Sequence, residues 1–241
     1  MSPRDARISD DRLDALALMV PRGSVVADIG TDHGLLPHRL LASGRAVRCI
    51  ASEPHASRLS KVRRFEPGEP REGTLSLRVG DGLTVLEPED GVDVVVIAGL
   101  GGAAIARILD QPVRRELALR RLVLQPQTDP VVVRAWLVAH GFRHVEERIV
   151  LDRRRFYVLI AAEPGNERLT HPALAAEDLL EAGPRLVRSK DTLVVLFWTR
   201  WLERHERILS RAHRGSARDE AVRQRDLARR VLAALPASDV H

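Results

Sequence analysis

The stretch VVADIGTDHGLLPHRL, residues 25–40, has the pattern of a buried strand, a glycine-containing turn and the first turns of a helix. Such turns open many nucleotide-binding domains and often follow the pattern D-x-G-x-G-x-G. Asp28, Gly30 and Gly34 occupy its acidic position and its outer glycine positions. Asp32 stands where the middle glycine is expected. The turn therefore carries a second carboxylate.

This second carboxylate restricts the cofactors that the turn can bind. In a dinucleotide site the pyrophosphate lies against the helix N-terminus, where Asp32 would be its neighbour. Two like charges about 4 Å apart at an effective dielectric near 20 repel by roughly 4 kcal/mol. S-adenosylmethionine has no phosphate and carries a cationic sulfonium, which tolerates nearby carboxylates. The turn therefore predicts S-adenosylmethionine as the cofactor and argues against an NAD-dependent oxidoreductase.

Two further acidic residues follow predicted strands. Glu53 ends the run AVRCIASE, residues 46–53, at the place where an acidic side chain can accept hydrogen bonds from ribose hydroxyls. Asp81 lies between glycines in VGDGL, residues 79–83, and we expect it near an adenine amino group. The alternatives are a solvated strand end for Glu53 and an ordinary Asp-Gly turn at Asp81. Acidic residues at three successive strand ends predict one ligand site, because open α/β sheets bind ligands at that edge.

The segment VVVIAGLGG, residues 94–102, ends the next predicted strand with small residues. Many class I methyltransferases that act on exocyclic amines have an Asn/Asp-Pro-Pro-aromatic motif here, which this chain lacks. Ala98, Gly99, Gly101 and Gly102 leave room for a bulky ring or a close backbone approach. The alternative is that Gly101 and Gly102 only form a tight turn into a helix expected over 103–109.

Apolar runs rich in β-branched residues alternate with helical periods from residue 24 to about 162, which is typical of an α/β domain. Near-continuous apolar strands such as 92–98 indicate a parallel sheet covered on both faces. The last two runs, 144–152 and 155–163, predict an antiparallel pair at the edge. This order, mostly parallel with an antiparallel edge, is that of a Rossmann-like class I methyltransferase sheet, although a doubly wound domain with such an edge fits nearly as well.

The C-terminal part of the chain has a different pattern. EPGNERLTHP, residues 163–172, gathers turn-forming residues and predicts a linker. Beyond it, TLVVLFW, residues 192–198, is the one stretch with a strand-like pattern, while leucine, valine and alanine recur at helical spacing from about 174 to 235. Gly215 and Ser216 separate two helices of an expected antiparallel hairpin. We therefore expect a cofactor-binding domain over 1–163, a linker over 164–172 and a helical domain over 173–241.

A set of arginines recurs every three or four residues in the helical region and shares one helix side: Arg200, Arg204, Arg207, Arg211, Arg214 and Arg218. Arginine is well suited to bidentate phosphate contacts, and the net charge of +5 is compatible with a polyanionic partner. The alternative is a solvated helix face on which these arginines pair with acidic neighbours. Those neighbours would be Glu203, Glu206, Asp219 and Glu220.

The composition excludes several classes of protein. With 241 residues and 44% hydrophobic content, the chain can build a buried core. Cys49 is the single cysteine, which excludes a disulfide framework and indicates a reducing compartment. No apolar run approaches the roughly 20 residues of a membrane helix, and HGFRH, residues 140–144, makes no convincing metal site. We expect a cytoplasmic protein without metal or membrane attachment.

Four motifs in this order and spacing resemble the TrmK family of bacterial tRNA methyltransferases. They are ADIGTDHGLLP at 27–37, VGDGLTVL at 79–86, VIAGLGG at 96–102 and LVLQPQ at 122–127. The resemblance spans nearly the whole chain. It implies a Rossmann-like catalytic domain, a C-terminal helical, coiled-coil-like domain that binds tRNA, and methylation of N1 of adenosine 22 by S-adenosylmethionine. An aromatic residue often follows the D-H-[AG] part of the family's turn, whereas this chain has Leu35.

The resemblance also implies roles for individual residues. Asp32 would be the catalytic residue, and His33 would contact the RNA, unless it is a helix-start histidine satisfied by the backbone. The cofactor would be bound by Asp28, Gly30, Thr31, Glu53, Asp81, Gly82 and the segment from Ala98 through Gly99 to Gly101 and Gly102. Trp198 and Trp201 lie at helical spacing and are expected to pack in the core rather than stack on RNA. The protein is expected to act on tRNA as a monomer.

Two other functions remain open on the sequence. One is a class I methyltransferase with another RNA or a small molecule as acceptor. The other is an RNA-binding protein that keeps a vestigial Rossmann domain and has no activity. Unmodified RNAs would separate the first from the methylation of adenosine 22, and cofactor binding would test the second.

Overall fold

The computed structural model of the protein describes residues 11–31, 33–62, 73–211 and 214–237. Seven strands form one sheet: β1 (Ser24–Ile29), β2 (Ala46–Glu53), β3 (Leu75–Val79), β4 (Val94–Gly101), β5 (Arg121–Thr128), β6 (Phe142–Asp152) and β7 (Arg155–Pro164). The α-helices are α1 (Asp11–Met19), α2 (Leu35–Ala42), α3 (Ala56–Leu59), α4 (Gly102–Leu109), α5 (Pro130–Ala139), α6 (Ala176–Ala182), α7 (Thr192–Arg211) and α8 (Ser216–Ala234).

The strands lie in the order β3-β2-β1-β4-β5-β7-β6. The first five of these are parallel to one another, and β7 is antiparallel to both β5 and β6. The sequence prediction of a mostly parallel class I methyltransferase sheet with an antiparallel edge is therefore confirmed. The strands that follow β1 are added on one side of it and the strand that follows β4 is added on the other side, so a crevice opens at the carboxyl ends of β1 and β4.

The core consists of two layers, one on each face of the sheet. Consecutive residues of β4 point to opposite layers, with Val94 and Val96 in one and Val95 and Ile97 in the other. Helices α1 and α2 cover the first face, and helices α4 and α5 cover the second. Since both faces are buried, the strands read as the continuous apolar runs seen in the sequence.

The C-terminal helices pack onto the second layer. After Pro164 the chain has no helix or strand until Ala176, and then α6, α7 and α8 add apolar side chains to the same hydrophobic cluster that contains α5 and β6. The antiparallel hairpin of α7 and α8 turns at Gly215, whose φ is +104°. The helical region and the sheet thus share one continuous core, and the division of the chain into domains stays a prediction.

The stretch 192–198 is helical, so its strand-like sequence pattern was misleading. It forms the first two turns of α7. Val194 and Trp198 lie four residues apart and are both buried against the core, which gives the helix an apolar stripe. Tertiary burial of this stripe outweighs the β preference of the two adjacent valines.

Candidate active site

A cavity of about 630 Å³ lies at the carboxyl edge of the sheet. It is bordered by the loops after β1 and β2, the turn after β3, the carboxyl end of β4 and helix α4. These strands are parallel, so their carboxyl ends meet at one edge. The cavity therefore gathers the residues that the sequence placed at separate strand ends.

The turn after β1 forms one wall of this cavity. The backbone N–H groups of Gly30 and Thr31 both donate to the carbonyl of Ser52, each at 2.9 Å, which fixes the turn against β2. Gly34 precedes α2 with φ +68°, and a β carbon there would lie 2.4 Å from Cγ1 of Val62. This position therefore requires glycine for both its backbone conformation and its space. Asp32, the predicted catalytic residue, lies outside the described residues, whereas exposed His33 lines the cavity.

Asp28 lies at the base of the cavity, near the end of β1. Its side chain is buried. Burial raises the pKa of Asp28 to about 6, although a hydrogen bond with the Thr31 side chain opposes the shift. A carboxyl group with this pKa changes its charge in the physiological range. A cationic ligand in the cavity would favour the ionised form.

Glu53 and Asp81 lie on the side of the cavity formed by β2 and β3. Glu53 is buried, and its carboxylate lies 3.5 Å from the guanidinium of Arg58. Asp81 is exposed and pairs with Arg107 across 3.2 Å. Gly82, with φ +61°, packs against the side chain of Gln111. Both carboxylates line the cavity, where they can accept hydrogen bonds from hydroxyl or amino groups of a ligand.

The small residues that end β4 divide into two groups. Ala98 and Gly99 line the cavity, and Gly99 has φ +81°. Gly101 and Gly102 are not among its lining residues. A β carbon on Gly102 would lie only 2.3 Å from the carbonyl oxygen of Asp129, so glycine here permits the close packing of α4 against the loop between β5 and α5.

Several cavity residues were not predicted from the sequence. Arg12 reaches the cavity from α1 and donates to the Gln125 side chain at 2.8 Å. Arg58 and Arg107 line it beside the two carboxylates that they pair with. Gln127, at the end of β5, closes another side. The sequence signal for Gln127 was its place in the motif LVLQPQ, whereas nothing in the sequence around Arg12 connects it with Gln125, 113 residues further along the chain.

The predicted phosphate-binding arginines lie on the helical hairpin. Arg200, Arg204, Arg207, Arg211 and Arg214 are exposed, and none has a carboxylate within ion-pair distance among the residues that the structure describes. Arg218 donates to the carbonyl of Leu209 at 3.3 Å.

Two of the acidic neighbours that were expected to neutralise these arginines pair elsewhere. Glu206 pairs with Arg229 at 2.8 Å, and Glu220 pairs with Arg223. This part of the hairpin surface therefore keeps free positive charge.

Within 11–31, 33–62, 73–211 and 214–237 there is no group of three or more histidine, cysteine, aspartate or glutamate side chains able to hold a metal ion. The helices in those ranges are also too short or too polar to cross a membrane.

Comparison with known proteins identifies relatives over most of the chain. A family model described as tRNA (adenine(22)-N(1))-methyltransferase, TrmK, matches residues 26–233. The Bacillus subtilis tRNA (adenine(22)-N(1))-methyltransferase is 30% identical over 197 residues, which are 82% of this chain and 82% of that protein.

Solved structures agree with these sequence matches. The Bacillus subtilis enzyme TrmK superposes with a TM-score of 0.79 at 29% identity, covering 92% of this chain and 97% of that one. Streptococcus pneumoniae Sp1610, solved in complex with S-adenosyl-L-methionine, superposes with a TM-score of 0.80 at 29% identity, covering 92% and 98%. The similarity includes the C-terminal helices as well as the sheet.

Proposed function

The chain belongs to the TrmK family of tRNA (adenine(22)-N(1))-methyltransferases, and we propose that its residues carry out this reaction at the carboxyl edge of the sheet. The protein is an S-adenosylmethionine-dependent enzyme that methylates N1 of adenosine 22 in tRNA. The observation that carries our assignment of the site is the convergence of Asp28, Glu53 and Asp81 on one cavity.

The residues around the cavity fit S-adenosylmethionine. Glycines with positive φ at positions 30, 82 and 99 bring backbone close to the ligand space. We assign the carboxylate of Glu53 to accept hydrogen bonds from the ribose hydroxyls, and that of Asp81 to accept one from the adenine amino group. Asp28 offers a buried negative charge to a cationic ligand. When bound, S-adenosylmethionine supplies an electrophilic methyl group on a sulfonium.

The protein's contribution to the chemistry is positioning and electrostatics. Adenine N1 has an in-plane lone pair, so no side chain has to remove a proton before methyl transfer. Methylation at N1 makes the ring cationic. We assign Asp32 the role of accepting a hydrogen bond from the exocyclic amine, which orients the base and stabilises the developing charge.

Recognition of tRNA is assigned to the helical hairpin. N1 is paired in a regular duplex, so the acceptor adenosine must be unpaired or flipped. The arginines of α7 and the following turn that have no ion-pair partner among the described residues supply phosphate contacts. These contacts weaken as the salt concentration rises, because the release of counterions from the RNA is then less favourable. We also infer that the enzyme acts as a monomer, because one chain provides both the cofactor cavity and the basic helices. We infer a location in the cytoplasm from the single cysteine, which indicates a reducing compartment.

The test compares methyl transfer by wild-type protein and by Asp32 variants. Labelled S-adenosylmethionine is incubated with unmodified bacterial tRNA and with tRNA in which guanosine replaces adenosine 22. We expect Asp32→Ala to reduce kcat by at least about 100-fold while the cofactor affinity changes little. Asp32→Asn keeps the hydrogen-bond acceptor but removes the charge. We expect its kcat to lie between that of wild type and that of Asp32→Ala.

The controls test the catalytic residue and the acceptor nucleotide independently of each other. Guanosine at position 22 should abolish incorporation by the wild-type protein. Methyl transfer that persists in Asp32→Ala would show that Asp32 is not catalytic. Measurable cofactor binding without transfer to any tRNA would show that the acceptor is wrong.

A further inference from the structure

We propose that a second cavity, the aromatic groove, binds the nucleotides that flank adenosine 22 in tRNA. The groove has a volume of about 910 Å³ and runs between the end of β5, the turn from β6 to β7, and the hairpin of α7 and α8. The lining residues that define it here are Gln127, Arg155, Phe156, Arg200, Trp201 and Arg204. This inference rests on the proposed function, because it takes tRNA as the substrate.

The groove and the cofactor cavity share Gln127. This side chain lines both spaces and is exposed at the end of β5. Its Nε2 lies 3.7 Å from the position that a β carbon on Gly99 would take, so Gln127 stands beside the cofactor-side glycine. A base that enters the cofactor cavity past Gln127 has its neighbouring nucleotides in the groove.

Positive charge lines the groove from two parts of the chain. Arg154 and Arg155 come from the turn between β6 and β7, and Arg200 and Arg204 from α7. All four are exposed. In the part of the chain that the structure describes, none of them lies within ion-pair distance of a carboxylate. Four unpaired guanidinium groups around one cavity are suited to a phosphate backbone.

The acidic side chains of the groove offset this charge only in part. Glu220 pairs with Arg223. Desolvation raises the pKa of the Glu181 carboxyl group, but Glu181 is exposed and counts here as a negative charge. Asp129 is the remaining carboxylate that lines the groove. Among the described lining residues, four unpaired arginines therefore face two unpaired carboxylates, Asp129 and Glu181, which leaves an excess of positive charge.

The turn from β6 to β7 has an unusual backbone. Arg153 and Arg154 have φ of +45° and +67°, a conformation that two-residue hairpin turns normally fill with Asn or Gly. Each non-glycine residue there costs about 1–2 kcal/mol. Backbone strain of this kind is typical of functional sites, so we take it as support for a role of these arginines in binding the ligand of the groove.

Aromatic rings in the groove provide surfaces on which bases can stack. Phe156 contacts Phe197 edge to face with ring centroids 5.4 Å apart, and Phe197 stacks on Trp201 at 5.7 Å. The guanidinium of Arg200 lies 5.4 Å from the Phe156 centroid, and that of Arg204 lies 5.9 Å from Trp201. Alternating arginines and aromatic rings are characteristic of single-stranded nucleic acid sites. Single-stranded RNA is therefore favoured over an acidic protein segment, which has no bases to stack.

The two tryptophans of α7 differ in how deeply they are buried. Trp198 is 3% exposed and belongs to the core, as the sequence predicted. Trp201 packs against the same core, as was also expected, but it is only partly buried and lines the groove. Helical spacing alone could not separate these two positions.

The test measures tRNA affinity, so that it is independent of catalysis. One variant combines Arg154→Asn with Arg155→Gln, since Asn tolerates positive φ. A second variant is Trp201→Leu, which keeps an apolar side chain and removes the ring. The control is Arg115→Gln, because Arg115 is an exposed arginine that lines neither cavity. Circular dichroism and S-adenosylmethionine affinity check that each variant is folded.

We expect each groove variant to raise the Kd for unmodified tRNA by about tenfold or more and to leave cofactor affinity unchanged. The control should bind tRNA like wild type. Photocrosslinking with a reactive pyrimidine next to adenosine 22 should label peptides that contain 154–157 or 197–204.

Unchanged tRNA affinity in both groove variants, or crosslinks only elsewhere, would overturn the proposal and leave the groove for another partner, such as an acidic protein segment. If instead wild type binds tRNA through the groove but transfers no methyl group to adenosine 22, the proposed function fails and the groove assignment stands.

Discussion

At the scale of single residues, the ionisation of Asp28 should control cofactor affinity. Its pKa is raised to about 6 by burial, so at pH 5 about one tenth of the protein carries the charge. S-adenosylmethionine is cationic, so it binds the ionised form more tightly. We expect its affinity to rise about tenfold between pH 5 and pH 8 and to level above pH 7. Isothermal titration calorimetry of the wild-type protein measures this directly.

The matched variant is Asp28→Asn, which keeps the size of the side chain and cannot ionise. Its cofactor affinity should be lower than that of wild type and flat across this pH range. The free energy of unfolding should favour the variant instead. A raised pKa means that ionisation of Asp28 destabilises the folded wild-type protein, and the variant cannot ionise. The variant's advantage in free energy of unfolding should grow by about 3 kcal/mol as pH rises from below 4 to above 6. A parallel pH dependence in wild type and variant would rule out Asp28 as the titrating group.

At the scale of elements, a buried ion pair connects the C-terminal helices to the sheet. Arg134 on α5 and Glu147 on β6 are 2.7 Å apart, with 1% and 0% of their side chains exposed. Arg134 also donates to the carbonyls of Leu180 and Glu181 near the end of α6, and Glu147 accepts from the backbone N–H of Arg185. This network satisfies polar groups of the helix end that have no helical partner.

Removing one partner of this network should be costly. We expect Glu147→Ala to lower the free energy of unfolding by about 3–5 kcal/mol, because it leaves the Arg134 charge buried without its partner. The control is Glu206→Ala on α7, which removes an ion pair with Arg229 that is about half exposed and should cost less than about 1 kcal/mol. Urea denaturation measures both. Equal losses in the two variants would show that burial of the pair contributes little.

At the scale of the whole molecule, the shared core predicts cooperative unfolding. Leu179, Val194 and Trp198 from the C-terminal helices lie in one hydrophobic cluster with Val133 and Ile149 from α5 and β6. Separating the helices from the sheet would expose this apolar surface to water. The two parts should therefore lose their structure together, although the sequence pattern suggested two domains.

Hydrogen exchange followed by mass spectrometry tests this expectation. Peptides from β1 to β4 and peptides from α7 and α8 should reach the same limiting opening free energy in increasing urea. A helical hairpin that exchanges at low urea while the strands stay protected would contradict it. That result would favour a separate helical domain beginning near residue 173.

Most of the sheet and much of the candidate site could be predicted from the sequence. The strands were recognised because β-branched apolar runs and turn residues are properties of neighbouring residues. Asp28, Glu53 and Asp81 were grouped correctly into one cavity, because parallel strands necessarily end at the same edge. The roles of these residues in binding the cofactor, and the role of Asp32 in catalysis, stay predictions.

Tertiary structure decided what depends on residues far apart in the chain. Gly102 serves the packing of α4 on the loop after β5, which the motif around it did not reveal. Arg12 lines the cofactor cavity from α1 and donates to Gln125, which lies 113 residues later in the chain. The aromatic groove exists only because the turn after β6 lies against α7. Local patterns determined the elements and their order, whereas these contacts arise from burial of apolar faces between elements, for which sequence spacing carries no signal.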